Sequence, residues 1–346
     1  MFLKHSKETA TICAAGEMID MTIRAIAKQA GVSPATVSRY FTGAEHISDD
    51  TAERIRQVVK NNEGVNHPRR KNASDTVAVL VPNFKFRYFS DALREIIDQM
   101  PDYPYRMIVI PTSDGRARFK ELLRELKLKG IIFLEENIDE DILEWAKKAN
   151  VKTVNCGAAS ITSQSSMVHI NDLAAAYEGT KYLIGLGHKR IAFLSDFQDS
   201  ISVGFQRMVG ARKAMEEAGL KYDEKLVRYG EVIYKAGYSF AKELLDAGKD
   251  FTALFAFSDE MAIGAMNAII DYGLKVPEDI SVMGFDDLPV ASCVRPRLTS
   301  IHQPMHEIIK NTLDAFLDTE NEGNMNIKAV TLPYSISERD SCRRVE

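Results

Sequence analysis

This sequence predicts two kinds of structure in one chain: a small all-α helix-turn-helix unit near the N-terminus, and a larger α/β body of doubly wound parallel sheets. Three observations carry that expectation. The stretch TIRAIAKQAGVSPATVSRYFTG, Thr22 to Gly43, spells two short amphipathic helices around a glycine. From Thr76 onward, short β-branched runs alternate with segments of helical length, the pattern of strand–helix–strand units. The strand runs are too numerous for one compact half, so the body is expected in two.

The first helix follows from rotation of about 100° per residue, which gathers Ile23, Ile26, Ala27 and Ala30 on one face and turns Arg24 and Lys28 away. Thr22 stands where it can cap that helix. Gly31 supplies the backbone freedom of a tight turn, and Ser33 followed by Pro34 is an N-cap with proline at the first helical position. In the second helix Val37, Tyr40 and Phe41 share a packing face, while Pro34, Ala35, Ser38 and Arg39 make a small, polar face. Such a face can approach a DNA major groove closely, with Arg39 reaching guanine O6 and N7 and the hydroxyls of Ser33, Thr36 and Ser38 available to phosphates. A third helix is expected after Ser48 as cap, with Asp49 and Asp50 in its first turn and Ala52, Ile55, Val58 and Val59 on one side.

In the body, VAVLV (77–81), RMIVI (106–110), GIIFL (130–134), KTVNC (152–156), RIAFL (190–194), ALFAF (253–257) and ISVMGF (280–285) read as buried parallel strands. No glycine-rich phosphate cradle follows any of them, and neither H-E-x-x-H nor G-x-S-x-G occurs. An enzyme therefore lacks a nucleophile or metal constellation, and no cofactor is expected. The cysteines Cys13, Cys156, Cys293 and Cys342 are widely spaced and suggest neither a zinc site nor a disulfide framework. No apolar run approaches the ~20 residues of a membrane span, and the first residues lack the apolar stretch of a secretory signal, so a cytoplasmic protein is expected. Charge is divided unevenly: residues 1–71 hold 11 Lys+Arg against 8 Asp+Glu, a net of +3, which leaves −8 for residues 72–346 of a chain whose total is −5. The basic end is the one suited to nucleic acid, and the acidic remainder should face away from it.

These residues carry a family resemblance. The headpiece resembles that of the lactose/galactose-repressor (LacI/GalR) family. SDEMAIGAMNAIIDYGLKVPEDISVMGFDDLPVASCVRPRLTSIHQP (258–304) is similar to the effector-domain signature of the same family, and segments 169–194 and 334–341 extend the likeness. The resemblance implies a periplasmic-binding-protein-like effector domain of two doubly wound lobes, joined by three crossovers near Asn171, Ile301 and Leu332. It implies an N-terminal extension at 1–20, a headpiece at 21–62, a linker at 63–75 and the two-lobe domain at 76–346. The N-lobe would take about 76–170 and 303–331, the C-lobe about 171–302 and 332–346. Pro34, Ala35 and Arg39 would read bases, and Thr22, Ser33, Thr36, Ser38, Ser48 and Thr51 would touch the DNA backbone. Thr42 stands where many members have asparagine, so no contact is carried over to it.

The function this implies is a sequence-specific transcriptional regulator, expected to be a repressor, that binds a roughly palindromic double-stranded DNA operator as a homodimer and answers to a small polar effector such as a sugar. The alternative is a regulator whose effector domain responds to a protein coregulator, as in catabolite control. A solute-binding module or a sugar-modifying enzyme fits the headpiece poorly. In the cleft, the resemblance places Phe86, Tyr88 and Phe89 as aromatic plates for a sugar or base, Arg207 as a clamp on ligand oxygens, and Asp286 as an acceptor for hydroxyls, with Asp287 a turn residue. Asn155 stands where several sugar-binding members have aspartate and Ser258 where they often have asparagine, so the ligand cannot be copied from a relative. His169, His188 and His302 are expected to be structural, and no metal is implied.

The linker, EGVNHPRRKNASD (63–75), contains no leucine. Relatives typically carry a longer connection with a hinge helix that wedges a leucine into the minor groove, and here a basic arm of Arg69, Arg70 and Lys71 takes its place. Replacing those three residues by alanine is expected to flatten the salt dependence of operator binding, each lost phosphate contact removing ~0.9 from the slope of log K against log salt. Filter-binding titrations over a salt series check this, and an unchanged slope excludes the arm.

Overall fold

The computed structural model describes residues 10–14, 17–21, 23–42, 47–60, 75–112, 116–134, 138–158, 165–197, 203–248, 250–317 and 328–345. The chain divides into two compact units, Met1–Ser74 and Asp75–Glu346. Thr22, residues 61–62 of the expected headpiece, and residues 63–74 of the expected linker with Arg69, Arg70 and Lys71 lie outside the described residues, as do residues 1–9 of the extension.

Within the first unit, β1 (Ala10–Ala14) pairs antiparallel with β2 (Glu17–Met21), where the sequence predicted only an extension. Three helices follow: α1 (Ile23–Ala30), α2 (Pro34–Thr42) and α3 (Asp49–Lys60). Gly31, at φ +67°, ends α1, and the Val32 amide reaches back to the Ala27 carbonyl at 2.9 Å, satisfying one of the carbonyls a helix end leaves open. The Ser33 hydroxyl accepts the Thr36 amide at 3.1 Å and so caps α2, and Ser48 does the same for the Thr51 amide of α3 at 3.4 Å. Ile26, Ala27, Ala30, Val37 and Ile55 form the buried core, with Val32, Tyr40 and Val58 packed around it.

The second unit holds two six-stranded sheets. In the first, all neighbours are parallel and the order is β13-β7-β6-β5-β3-β4, with β3 (Thr76–Val81), β4 (Arg106–Pro111), β5 (Gly130–Phe133), β6 (Lys152–Cys156), β7 (Ser166–Ile170) and β13 (Ala329–Leu332). Along β3, Val77, Val79 and Val81 face one buried cluster while Ala78 and Leu80 face another, so both sides are covered and the run reads as continuously apolar. The helices α4 (Arg87–Gln99) and α11 (Met305–Asp314) lie on the first side, and α5 (Arg116–Glu125) and α6 (Glu140–Lys148) on the second.

The second sheet runs β14-β12-β11-β10-β8-β9, built from β8 (Ile191–Ser195), β9 (Val227–Tyr229), β10 (Ala253–Ala256), β11 (Ser281–Asp286), β12 (Thr299–His302) and β14 (Ser335–Ser337), which is antiparallel to its neighbour. Its faces are covered by α7 (Asp172–Gly185) with α8 (Val203–Glu217), and by α9 (Tyr234–Asp246) with α10 (Asp259–Asp271). All seven strand runs read from sequence are present. β7, β9, β12, β13 and β14 were not among them, because their short runs mix polar with apolar residues. Among the described residues, no helix is long and apolar enough to cross a membrane.

Each lobe places its helix N-termini beside the carboxyl ends of its strands, where open α/β sheets hold ligands. The helix pair α9–α10 is close enough that a Cβ on Gly237 would stand 2.1 Å from the Met261 carbonyl oxygen, whereas one on Gly185 meets nothing within 4 Å. Gly237→Ala is expected to cost about 1–3 kcal/mol by forcing these helices apart, and Gly185→Ala to be neutral or stabilising by under about 1 kcal/mol. Urea midpoints of the second unit's unfolding transition distinguish the two.

Candidate functional site

Two surfaces stand out, one in each unit. On the headpiece, the core consumes Val37 and most of Tyr40, which leaves Ser33, Pro34, Ala35 and Arg39 exposed and Thr36 half-exposed along the opposite face of α2. The Ser33 and Thr36 hydroxyls lie 2.8 Å apart and those of Ser48 and Thr51 2.9 Å apart, at the starts of α2 and α3, where amide groups and helix dipoles favour phosphate. Ser38 belongs to α2, but its side chain lies outside the described residues.

The second surface is a cleft between the two lobes of the body, with about 560 Å³ of unfilled space including its open mouth. Phe86, Tyr88, Phe89, Arg207, Asp286 and Gln303 line it. The aromatics arrive through a local turn: the Asn83 side-chain oxygen accepts the Lys85 amide at 2.9 Å and the Phe86 amide at 3.2 Å, closing β3 off before α4 begins at Arg87. Tyr88 and Phe89 thus stand in the first turn of α4. Phe86 stacks on Tyr88 with ring centroids 5.8 Å apart and meets Phe89 edge-on at 5.2 Å, a fixed apolar wall.

Opposite that wall, Arg207 of α8 is almost completely buried. Its Nε donates to Asp172 Oδ1 at 2.8 Å, its Nη1 donates to the Phe257 carbonyl at 2.6 Å, and its Nη2 lies 3.6 Å from Asp286 Oδ1. The guanidinium sits 3.5 Å above the centre of the Phe285 ring, a cation–π contact in a dry setting. Gln303 Nε2 donates to Asp286 Oδ1 at 2.7 Å. Asp286 Oδ2, Asp172 Oδ2, Gln303 Oε1 and the Tyr88 hydroxyl are buried with no hydrogen-bond partner.

Asp286 adopts φ +101° and Asp287 φ +52°, a conformation that costs non-glycine residues about 1–3 kcal/mol each. The turn is held from below: Asp259 accepts the Leu288 amide at 2.6 Å and the Ser300 hydroxyl at 2.6 Å, and Ser300 Oγ accepts the Asp287 amide at 3.1 Å. The Asp287 carboxylate is occupied by His302, Ser337 and Arg339. Burial raises its pKa, but these donors outweigh burial and hold it below the usual carboxylate range. His188, its pKa lowered by burial, is spent between Thr252 Oγ1 and the Arg343 carbonyl.

Burial drives the Asp286 carboxyl up to about 7, against the opposing pull of Arg207 and Gln303 and with a further push from Asp172 and Glu260. Burial also raises Asp172 despite Arg207, and raises the Tyr88 phenol. Two residues expected in the site stand outside the cleft lining. Asn155 is fully buried in β6, its side-chain amide without a partner, and Ser258 is the buried N-cap of α10, its Oγ accepting the Met261 amide at 3.2 Å. Conversely, Gln303, Asp172 and the lining Asp196 were not read from sequence. Gln303 precedes a proline and reads as a turn, and Asp172 reads as an ordinary first-turn acid.

A model of bacterial regulatory proteins of the lacI family matches residues 22–63, and one of a periplasmic binding protein-like domain matches 180–342. Catabolite control protein A of Staphylococcus xylosus is 31% identical over 331 residues, 93% of this chain and 99% of that protein. The chain belongs to the lacI family. Another lacI-family relative, the HTH-type transcriptional regulator MalR of Clostridium butyricum, is also 31% identical, over 93% of this chain and 99% of its own. Among solved structures, a complex of the transcriptional regulator CelR with cellobiose superposes with a TM-score of 0.71 at 28% identity, covering 93% of this chain and 99% of that one. As a lacI-family member the chain is a DNA-binding transcriptional regulator and not an enzyme.

A carboxyl whose folded pKa lies above its unfolded value binds more protons when folded, so its contribution to stability is present at low pH and declines as pH rises through the interval from 3.8 to about 7. Asp286→Asn mimics the protonated form. The unliganded variant is expected to gain thermal stability relative to wild type as pH rises across that interval, with the difference level above it. Paired melting curves at stepped pH test this, and a constant difference rejects it.

Proposed function

We propose that this regulator is a cytoplasmic repressor that binds a roughly palindromic operator as a homodimer and is switched by a small polyhydroxylated metabolite held between its lobes. The observation that carries the reading is the cleft itself. An apolar aromatic wall faces a buried carboxylate, Asp286, whose Oδ2 has no protein partner. A sugar ring offers both complements, an apolar face for Phe86 and Phe89 and a hydroxyl for Asp286. The cellobiose bound to CelR supports a carbohydrate ligand for a body of this shape. In this reading Arg207 acts beside Asp286, and Asn155 and Ser258 act from beneath, by shaping the strand and helix ends that carry the lining.

On DNA, Arg39 with Pro34 and Ala35 would read bases, while Thr22, Ser33, Thr36, Ser38, Ser48 and Thr51 would hold the phosphates and Arg69, Arg70 and Lys71 the minor groove or backbone. The likeness to catabolite control protein A keeps a protein coregulator as the second reading. It predicts that no sugar alone changes operator affinity.

Selection of bound fragments from sheared source-genome DNA should enrich a palindrome, and sedimentation of the bound species should give two chains per site. Arg39→Ala is expected to weaken binding to that site by about 1–3 kcal/mol while leaving nonspecific binding nearly intact. A panel of neutral sugars including cellobiose should contain one that changes operator affinity, and Asp286→Ala should weaken that sugar about 10- to 100-fold without altering DNA binding in its absence. An operator response that no sugar alters would sink the metabolite reading.

A further inference from the structure

In a doubly wound body the N-termini of helices converge on the ligand cleft, and their amides and dipoles normally make such a place attractive to phosphate and carboxylate. Here the starts of α4, α7, α8 and α10 are each served by a carboxylate of the chain, whereas α9, which follows the lining Val232, has no acid in its first turn. Asp172 sits in the first turn of α7, and Asp259 and Glu260 in the first turn of α10. Glu260 Oε2 also accepts the amide of Arg87, the first residue of α4, at 3.2 Å across the cleft. At the start of α8, a Cβ on Gly204 would stand 1.9 Å from Asp196 Oδ1, so the Asp196 carboxylate occupies the position an incoming anion would take.

The cation count points the same way. Among the described residues, Arg207 is the one cation lining the cleft, and it is engaged by Asp172, Asp286 and the Phe257 carbonyl. Asp172 and Asp286 balance that guanidinium when one of them is ionised and outweigh it when both are, and Asp196 adds to the acidic side. The orphaned atoms complete the argument. The ionised Asp286 Oδ2 accepts only, and because Gln303 must turn its amide nitrogen to Asp286 Oδ1, its free Oε1 also accepts only; the Tyr88 hydroxyl, closed in against Gly157, is the one orphaned group among them able to donate. A ligand satisfies the two acceptors by bringing hydrogen-bond donors, which ionised phosphate and carboxylate lack.

We infer that the cleft admits a hydrogen-bond-donating, uncharged polyhydroxylated ring and rejects the phosphorylated or carboxylated form of the same ring. This deepens the metabolite reading proposed above and rests on it. The assignment separates free sugars from sugar phosphates and uronic acids, a distinction that the family likeness leaves open. It places the regulator upstream of the phosphorylation of its effector, where the unmodified sugar is the species to be sensed.

Calorimetric titration of the full-length protein with matched probes tests this: cellobiose, glucose against glucose phosphate and glucuronate, ribose against ribose phosphate, and inorganic phosphate alone. A neutral sugar should bind, its anionic derivative should bind at least about tenfold more weakly, and inorganic phosphate should give no signal. A phosphorylated sugar that binds as tightly as its neutral parent overturns this inference and leaves the metabolite reading standing. If no sugar of either charge binds, the metabolite reading fails, and the doubly isosteric variant Asp196→Asn/Asp286→Asn decides the charge argument separately. Binding of inorganic phosphate that appears in the variant and is absent from wild type supports the exclusion. Its continued absence overturns it.

Discussion

The body is organised around one buried guanidinium. Arg207 meets Asp172 from the start of α7, Asp286 from the end of β11 and the main chain at Phe257 from the end of β10, and it sits over the ring of Phe285. Removing a charge from water costs several kcal/mol, so such a group persists only where its donors are met. The three sequence regions that meet it are thereby held in register, and the carboxylate that faces the cleft is held with them. The left-handed turn at Asp286 and Asp287 depends on the same economy: Asp259 and Ser300 bond the turn's amides from below, which leaves Asp286 Oδ2 pointing where no protein group answers it.

That arrangement gives the cleft its chemistry. Parallel sheets wound on both faces deliver helix N-termini to one edge whatever the sequence, and with them a positive field. This chain offsets that field at most of those helix ends with its own carboxylates, and leaves Asp286 Oδ2 and Gln303 Oε1 as open acceptors. Aromatic rings on the opposite side supply area without charge. Neither half would specify a ligand alone, because an apolar wall without acceptors holds many rings, and acceptors without a wall hold water.

The headpiece works by the opposite economy. With five buried core side chains among the described residues, it has little apolar area to spare, and caps carry a correspondingly large share of its order. Ser33 and Ser48 serve the amides that begin α2 and α3, and each such cap contributes about 1 kcal/mol. Because Val37 and Ile55 turn inward, the small residues at the start of α2 are left outside, free to approach a groove that a bulkier face could not enter.

How much of this was legible in the sequence follows from how local each cause is. The headpiece helices, their serine caps and the glycine turn at Gly31 are set within a few residues of chain. So are the seven strands read from sequence, because a strand covered on both faces is mostly apolar. Phe86, Tyr88, Phe89, Arg207 and Asp286 were visible through their place beside those strands and through family likeness. The short strands were hidden: β12 carries the buried polar residues Thr299 and Ser300, satisfied by Ser341 and Asp259 some 42 and 41 positions away. Likewise Asp172 and Gln303 join the site through partners 35 and 17 positions distant. The sequence by itself determined the headpiece helices, seven of the body's strands and that the chain binds DNA, since periodicity and capping act over a few residues. Only the tertiary structure decided which carboxylates neutralise the cleft and which acceptors remain open, because hydrogen bonds and burial are settled by whichever groups the fold brings within about 3 Å.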